Sequence, residues 1–109
     1  MVMHPVADLD RAIEFYEGVM GMTVKFRDGD RFCALDGGGT TIALGAGDEG
    51  EATLGRVAVA YKVDDVKAVV VALEAAGARL VVGPAEGPHE EHAALEDHDG
   101  NLFSIYSPL

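Results

Sequence analysis

The sequence predicts an α+β fold: two βαβββ modules in tandem, each an antiparallel-rich sheet with one helix, curving around a shared cavity. Three observations predict it. Asp97-His98-Asp99-Gly100-Asn101 is dense turn chemistry followed by a strand-like run, Leu102 to Tyr106, because Asp and Asn close turns with their side chains and Gly supplies a positive φ. The arrangement occurs earlier as Asp36-Gly37-Gly38-Gly39 and Thr40 to Leu44; aligning Asp36 with Asp97 sets Gly39 on Gly100, Ile42 on Phe103, Ala43 on Ser104 and Leu44 on Ile105. The repeat extends upstream: Val6-Ala7-Asp8 matches Val63-Asp64-Asp65, Ile13 matches Val70, Tyr16 matches Leu73, and Gly21 matches Gly77 after a one-residue slip within the helix. A half this small can bury one sheet face against one helix, so two halves are expected to associate.

Each element has its own signal. Met1 to Val6 is apolar and reads as an edge strand, with Pro5 tolerable only at an edge or strand end. Asp8 is placed to cap a helix from Leu9 to about Met20, whose apolar Leu9, Ala12, Ile13, Tyr16 and Met20 recur at helical spacing and which Gly21 ends. Three strands follow, Met22 to Phe26, Arg31 to Leu35 and Thr40 to Leu44. The Gly37 to Gly39 run is a hairpin turn; no helix and no Lys-Ser/Thr follows it, so it is not a phosphate loop. Gly45 to Gly55 is polar and linker-like. Arg56 to Val63 is a strand, and Asp64 or Asp65 caps a helix to about Ala76 with a buried stripe of Val66, Val69, Val70 and Leu73. Gly77 stops it. Arg79 to Val82 is a strand broken by Gly83-Pro84, Ala85 to Glu90 is a loop, and Ala93 to Glu96 with Leu102 to Tyr106 forms the closing hairpin. The expected organisation is one domain, 1–109, with module one at 1–46, a linker at 47–55 and module two at 56–109.

Composition excludes several function classes. No apolar stretch approaches the ~20 residues of a membrane helix, and the N-terminus lacks the layout of a secretory signal. The net charge of −11 disfavours nucleic acid and anionic membranes; it reads first as a solvated acidic surface, and alternatively as a field that attracts cationic small molecules. The lone cysteine, Cys33, cannot form an internal disulfide, so a reducing cytoplasm is the expected compartment; in its apolar run it reads as a buried small hydrophobe rather than a reactive thiol.

Asp8-Leu9-Asp10-Arg11-Ala12-Ile13-Glu14-Phe15-Tyr16, Met20-Gly21, Val63-Asp64-Asp65, Ala76-Gly77 and Asp97-His98-Asp99-Gly100-Asn101 occur in this order within the repeat. Together they resemble the vicinal oxygen chelate superfamily, which groups glyoxalases, bleomycin-resistance proteins and extradiol dioxygenases. One departure is His98, where the resemblance would place Pro. Metal-dependent members carry a ligand on the first and last strand of each half. The resemblance puts those positions on Met1, Ala43, Ala58 and Ser104, none of them a normal ligand for a divalent ion. It therefore implies no metal cofactor. A divalent ion held by non-standard ligands, His4 with His92 and Glu96, is the alternative. His89, His92, Glu96 and His98 lie within ten residues, but match no dedicated zinc spacing.

The same topology would turn Ala58, Ala60, Lys62, Leu102, Ser104 and Tyr106 towards the cavity, with Thr41 and Ala43 from the first half. Phe103 and Tyr106 alternate, so only one can enter. That lining suits a flat organic ligand. The leading expectation is a metal-independent homodimer that binds or sequesters a small organic molecule, similar to the bleomycin-resistance-like branch. A metal-dependent lyase, isomerase or dioxygenase, and a dimerising domain without ligand, remain as alternatives.

Overall fold

Asp8 accepts a hydrogen bond from the Arg11 amide at 3.1 Å, and Asp65 does the same for Ala68 at 3.1 Å. Each is the N-cap of its module's helix. The computed structural model describes residues 1–109. The chain divides into two units, Met1–Val57 and Ala58–Leu109.

Module one contains β1 (Val2–Pro5), α1 (Leu9–Ile13) continuing as a π-helix (Glu14–Val19), β2 (Thr23–Asp28), β3 (Phe32–Asp36), β4 (Thr41–Gly45) and the short α2 (Asp48–Glu51). Its strands lie in the order β2-β3-β4-β1, antiparallel except that β1 runs parallel to β4. Module two contains β5 (Ala58–Lys62), α3 (Val66–Ala75), β6 (Arg79–Glu86), β7 (Glu90–Glu96) and β8 (Leu102–Pro108). Its order is β6-β7-β8-β5, with β5 parallel to β8. The βαβββ repeat is therefore observed in both.

Each helix covers one sheet face. In module one Leu9 and Ile13 pack on Cys33, Leu35 and Leu44; in module two Val66 and Val70 pack on Ala93, Leu95 and Ile105. The one-residue slip between the repeats has a physical location. In module two the Ala78 amide bonds the Leu73 carbonyl at 2.9 Å, closing α3 around Gly77. In module one the matching bond runs from Met22 to Tyr16 at 3.0 Å and spans one residue more, and Met20 bonds Phe15 in the i→i+5 pattern. The π-helical turn absorbs the additional residue. It also rotates Met20 out of the expected buried stripe to 57% exposed, and Met22 packs on the core instead.

Two further expectations are corrected. The linker-like passage is folded: α2 forms there, Thr53 is buried and donates its hydroxyl to the Arg56 carbonyl at 2.8 Å, and Glu49 pairs with Arg31 at 2.9 Å. Its anchors are polar and backbone groups, which an apolar pattern does not register. Gly83-Pro84 does not end its strand. β6 continues through register shifts between Leu80 and Val82 and between Val82 and Ala85, and β7 begins at Glu90. Bulges absorb the residues that cannot hold the ladder.

The repeated turn is built by the same device twice. Asp97 accepts from the amides of Asp99 and Asn101, both at 2.9 Å, and from the Asn101 side chain at 3.0 Å. Asp36 accepts from Gly38 and Gly39 at 2.9 and 3.4 Å. The Asn101 bonds hold the Asp97 carboxyl below its ordinary range, and the Gly38 and Gly39 amides do so for Asp36. A carboxylate depressed on folding adds stability above its unfolded pKa, and that stability is lost as pH falls through the folded value. Asp97→Asn should therefore be less stable than the parent at pH 6 in urea titrations. The gap should narrow steadily below about pH 4.

Candidate functional site

Strand alternation leaves each sheet with a second face that its helix does not cover. In module two the register fixes that face as three rows across β5, β8 and β7. They are Lys62, Tyr106 and His92; then Ala60, Ser104 and Ala94; then the ends of the strands with Ala58, Leu102 and Glu96. Phe103 and Ile105 belong to the α3 side, where Phe103 meets Tyr61 edge-on at 6.2 Å between ring centroids. Tyr106, not Phe103, thus stands on the helix-free face.

All six residues expected from this module, Ala58, Ala60, Lys62, Leu102, Ser104 and Tyr106, share that face. Its middle row is small and buried: Ala60 is 3%, Ser104 8% and Ala94 0% exposed. Ala58, Ala94 and Leu102 form a cluster with Val81 and Val82. Val82 stood in the expected strand Arg79 to Val82, but only the register against β7 places it opposite Ala94. Glu90 was hidden because it was assigned to a loop; the alternation Glu90, His92, Ala94, Glu96 was the available signal.

In module one, Thr41 and Ala43 lie on the corresponding face, opposite Asp36 and Ala34. The Thr41 hydroxyl accepts a hydrogen bond from the Lys25 ammonium at 2.9 Å. His4 does not join them. It pairs with Leu44 in the ladder, on the α1 side, and the Tyr16 hydroxyl lies 3.3 Å from its Nδ1.

The four positions that the resemblance assigns to a metal carry a thioether at Met1, methyl groups at Ala43 and Ala58, and a hydroxyl at Ser104. This donor set does not fit a divalent ion. Of the alternative set, His92 and Glu96 share the helix-free face of module two, with Glu96 paired to Arg79. His4 lies on the helix-covered face of module one. No group of three or more His, Cys, Asp or Glu side chains is arranged to hold a metal ion.

His98, the residue at the tip of the turn, packs over the end of α3: a Cβ on Gly77 would stand 2.5 Å from its Nε2. A surface depression of about 280 Å³ beside α1 is lined by Ala7, Asp8, Leu9, Asp10 and Asp30, and Arg27 bonds both Asp10 and Asp30 there, at 2.6 and 3.3 Å. It contains none of the residues expected to bind a ligand. Cys33 is fully buried, and burial pushes its thiol up, away from the reactive thiolate. No helix is long and apolar enough to cross a membrane.

Residues 1–105 match the family model described as Glyoxalase/Bleomycin resistance protein/Dioxygenase superfamily. An uncharacterized protein of Mycolicibacterium smegmatis is 42% identical over 109 residues, covering 100% of this chain and 92% of that protein. Among solved structures, a Legionella pneumophila protein described as an NAD-dependent benzaldehyde dehydrogenase superposes with a TM-score of 0.84 at 15% identity, covering 99% of this chain and 97% of the other. A superfamily member from Vibrio splendidus superposes with a TM-score of 0.66 at 20% identity, covering 98% and 96%. At these identities the two structures speak to fold alone.

Proposed function

Because the chain belongs to the glyoxalase/bleomycin resistance protein/dioxygenase superfamily, we propose that it binds a small organic molecule, without a metal ion, on the helix-free face of module two. The observation that carries this reading is the row Ala60, Ser104 and Ala94. Three adjacent strands present small, shielded side chains there, a flat floor beside which Lys62, Tyr106 and His92 supply polar contacts along one more accessible border. The net charge of −11 favours a cationic guest. The donor set at Met1, Ala43, Ala58 and Ser104 supports a metal-free mode. The reading takes the protein as a cytoplasmic homodimer, the compartment supported by the lone buried Cys33.

The test is a thermal-shift screen of aromatic and cationic compounds on the protein purified without an affinity tag. A ligand at a hundred times its dissociation constant should add about 2.7 kcal/mol of stability. Tyr106→Ala and Lys62→Ala, at the more accessible border of the row, should each weaken the shift. No response to any compound would count heavily against the reading. One ion of Zn, Mn, Ni or Fe per subunit, lost on His92→Ala, would replace it with a metal site.

A further inference from the structure

His92 Nδ1 is the one buried side-chain nitrogen or oxygen in the molecule with no hydrogen-bond partner. It lies at the polar border of the face just described, opposite Tyr106 on β8 and Ala85 on β6. The Glu90 carboxylate faces it, with Oε1 at 3.7 Å, too far for a hydrogen bond but within electrostatic reach. Both side chains are mostly shielded, at 22% and 27% exposed. Gly87 makes that approach possible. A Cβ there would stand 2.8 Å from Glu90 Oε1, and the Gly87 amide bonds the Glu90 carbonyl at 2.7 Å.

A neutral imidazole carries one N–H and one lone pair, and its surroundings decide which nitrogen holds which. A lone pair on Nδ1 would face a carboxylate with water excluded, whereas an N–H there faces it favourably. We propose that Glu90 is a positioning residue that keeps His92 in the Nδ1–H form, leaving Nε2 as an acceptor for an N–H or O–H group on the bound ligand. The ligand class is then a flat organic molecule bearing a hydrogen-bond donor, a protonated amine above all given the acidic chain. This rests on the binding face proposed above, but the tautomer itself does not.

Two experiments separate the parts. Long-range ¹H–¹⁵N correlation spectra of the imidazoles read the tautomer without any ligand. The parent should show His92 with a protonated Nδ1 and an unprotonated Nε2, and Glu90→Ala should shift it towards the Nε2–H form. Gly87→Ala, whose backbone tolerates a side chain, should do the same by displacing the carboxylate. A parent His92 protonated on Nε2 alone, or one unmoved by both substitutions, overturns the role of Glu90. Binding is then compared for benzylammonium and benzyltrimethylammonium, equal in charge but only the first a donor, by amide shifts at Ala60, Ala94 and Ser104. Benzylammonium should bind at least tenfold more tightly, and His92→Leu should bring the ratio close to one. A ratio unaffected by His92→Leu overturns the ligand class. Absence of binding by both probes overturns the binding face together with that class, and leaves the tautomer to be decided by the spectra.

Discussion

Gly83→Ala is expected to be the most damaging single methyl addition in the chain. Gly83 has φ +79, and a Cβ there would stand 2.6 Å from the His92 carbonyl oxygen, 3.0 Å from the Ala85 amide nitrogen and 3.3 Å from the Ala93 Cα. All three are backbone atoms, so no flexible side chain can give way. The β6–β7 ladder, with Ala85 opposite His92 and Val82 opposite Ala94, holds them in place. The cost should be about 3 kcal/mol, made of roughly 1–2 for a side chain at positive φ and 1–3 for overpacking. Urea unfolding followed by circular dichroism measures it. A loss under about 1 kcal/mol would mean that β6 can detach from β7 at little cost, a small effect by the standard of core overpacking. Because the clash falls on His92 and Ala93, the variant should also disturb the helix-free face.

The second large effect is expected at Leu35 and Leu95, which hold equivalent ladder positions opposite Ile42 and Phe103. Both are fully buried beneath their own helix. Truncating either to Ala should cost about 2–5 kcal/mol, the transfer free energy of the lost atoms plus the cavity left behind. The two leucines belong to separate core clusters with no residue in common. The double variant should therefore lose the sum of the single losses to within roughly 0.5 kcal/mol. Denaturant titrations of the singles and the double provide the check, and a clear departure from additivity would show that the clusters are energetically coupled.

The repeat was legible because its markers are local. Asp36 and Asp97 bind the amides of their own turns, Asp8 and Asp65 cap their own helices, and Gly77 ends α3 at φ +103. Each is decided within a few residues, so the amino-acid pattern reports it directly. Alternation along β5 and along β8 likewise reports which residues of each strand share a face, while grouping Ala58, Ala60 and Lys62 with Leu102, Ser104 and Tyr106 rested on the topology that the family resemblance implies. The one-residue slip was visible as well, although not its form, since nothing local distinguishes an α turn from the π turn that rotates Met20 outward.

What the sequence by itself determined was the pair of βαβββ modules, their caps and turns, and the alternation that sorts strand residues into two faces. The tertiary structure alone decided three other matters. It kept Gly83-Pro84 inside β6 through bulges against β7, folded residues 47–55 around Thr53, and brought the Glu90 carboxylate to 3.7 Å from His92 beside Gly87. The first depends on backbone atoms of another strand, and the other two on how side chains are placed against groups two or three residues away. A residue's neighbours in sequence carry no record of the distance to a carbonyl on the next strand, which decides whether a proline breaks a strand, and alternation puts Glu90 and His92 on one face of β7 without fixing how closely their side chains approach.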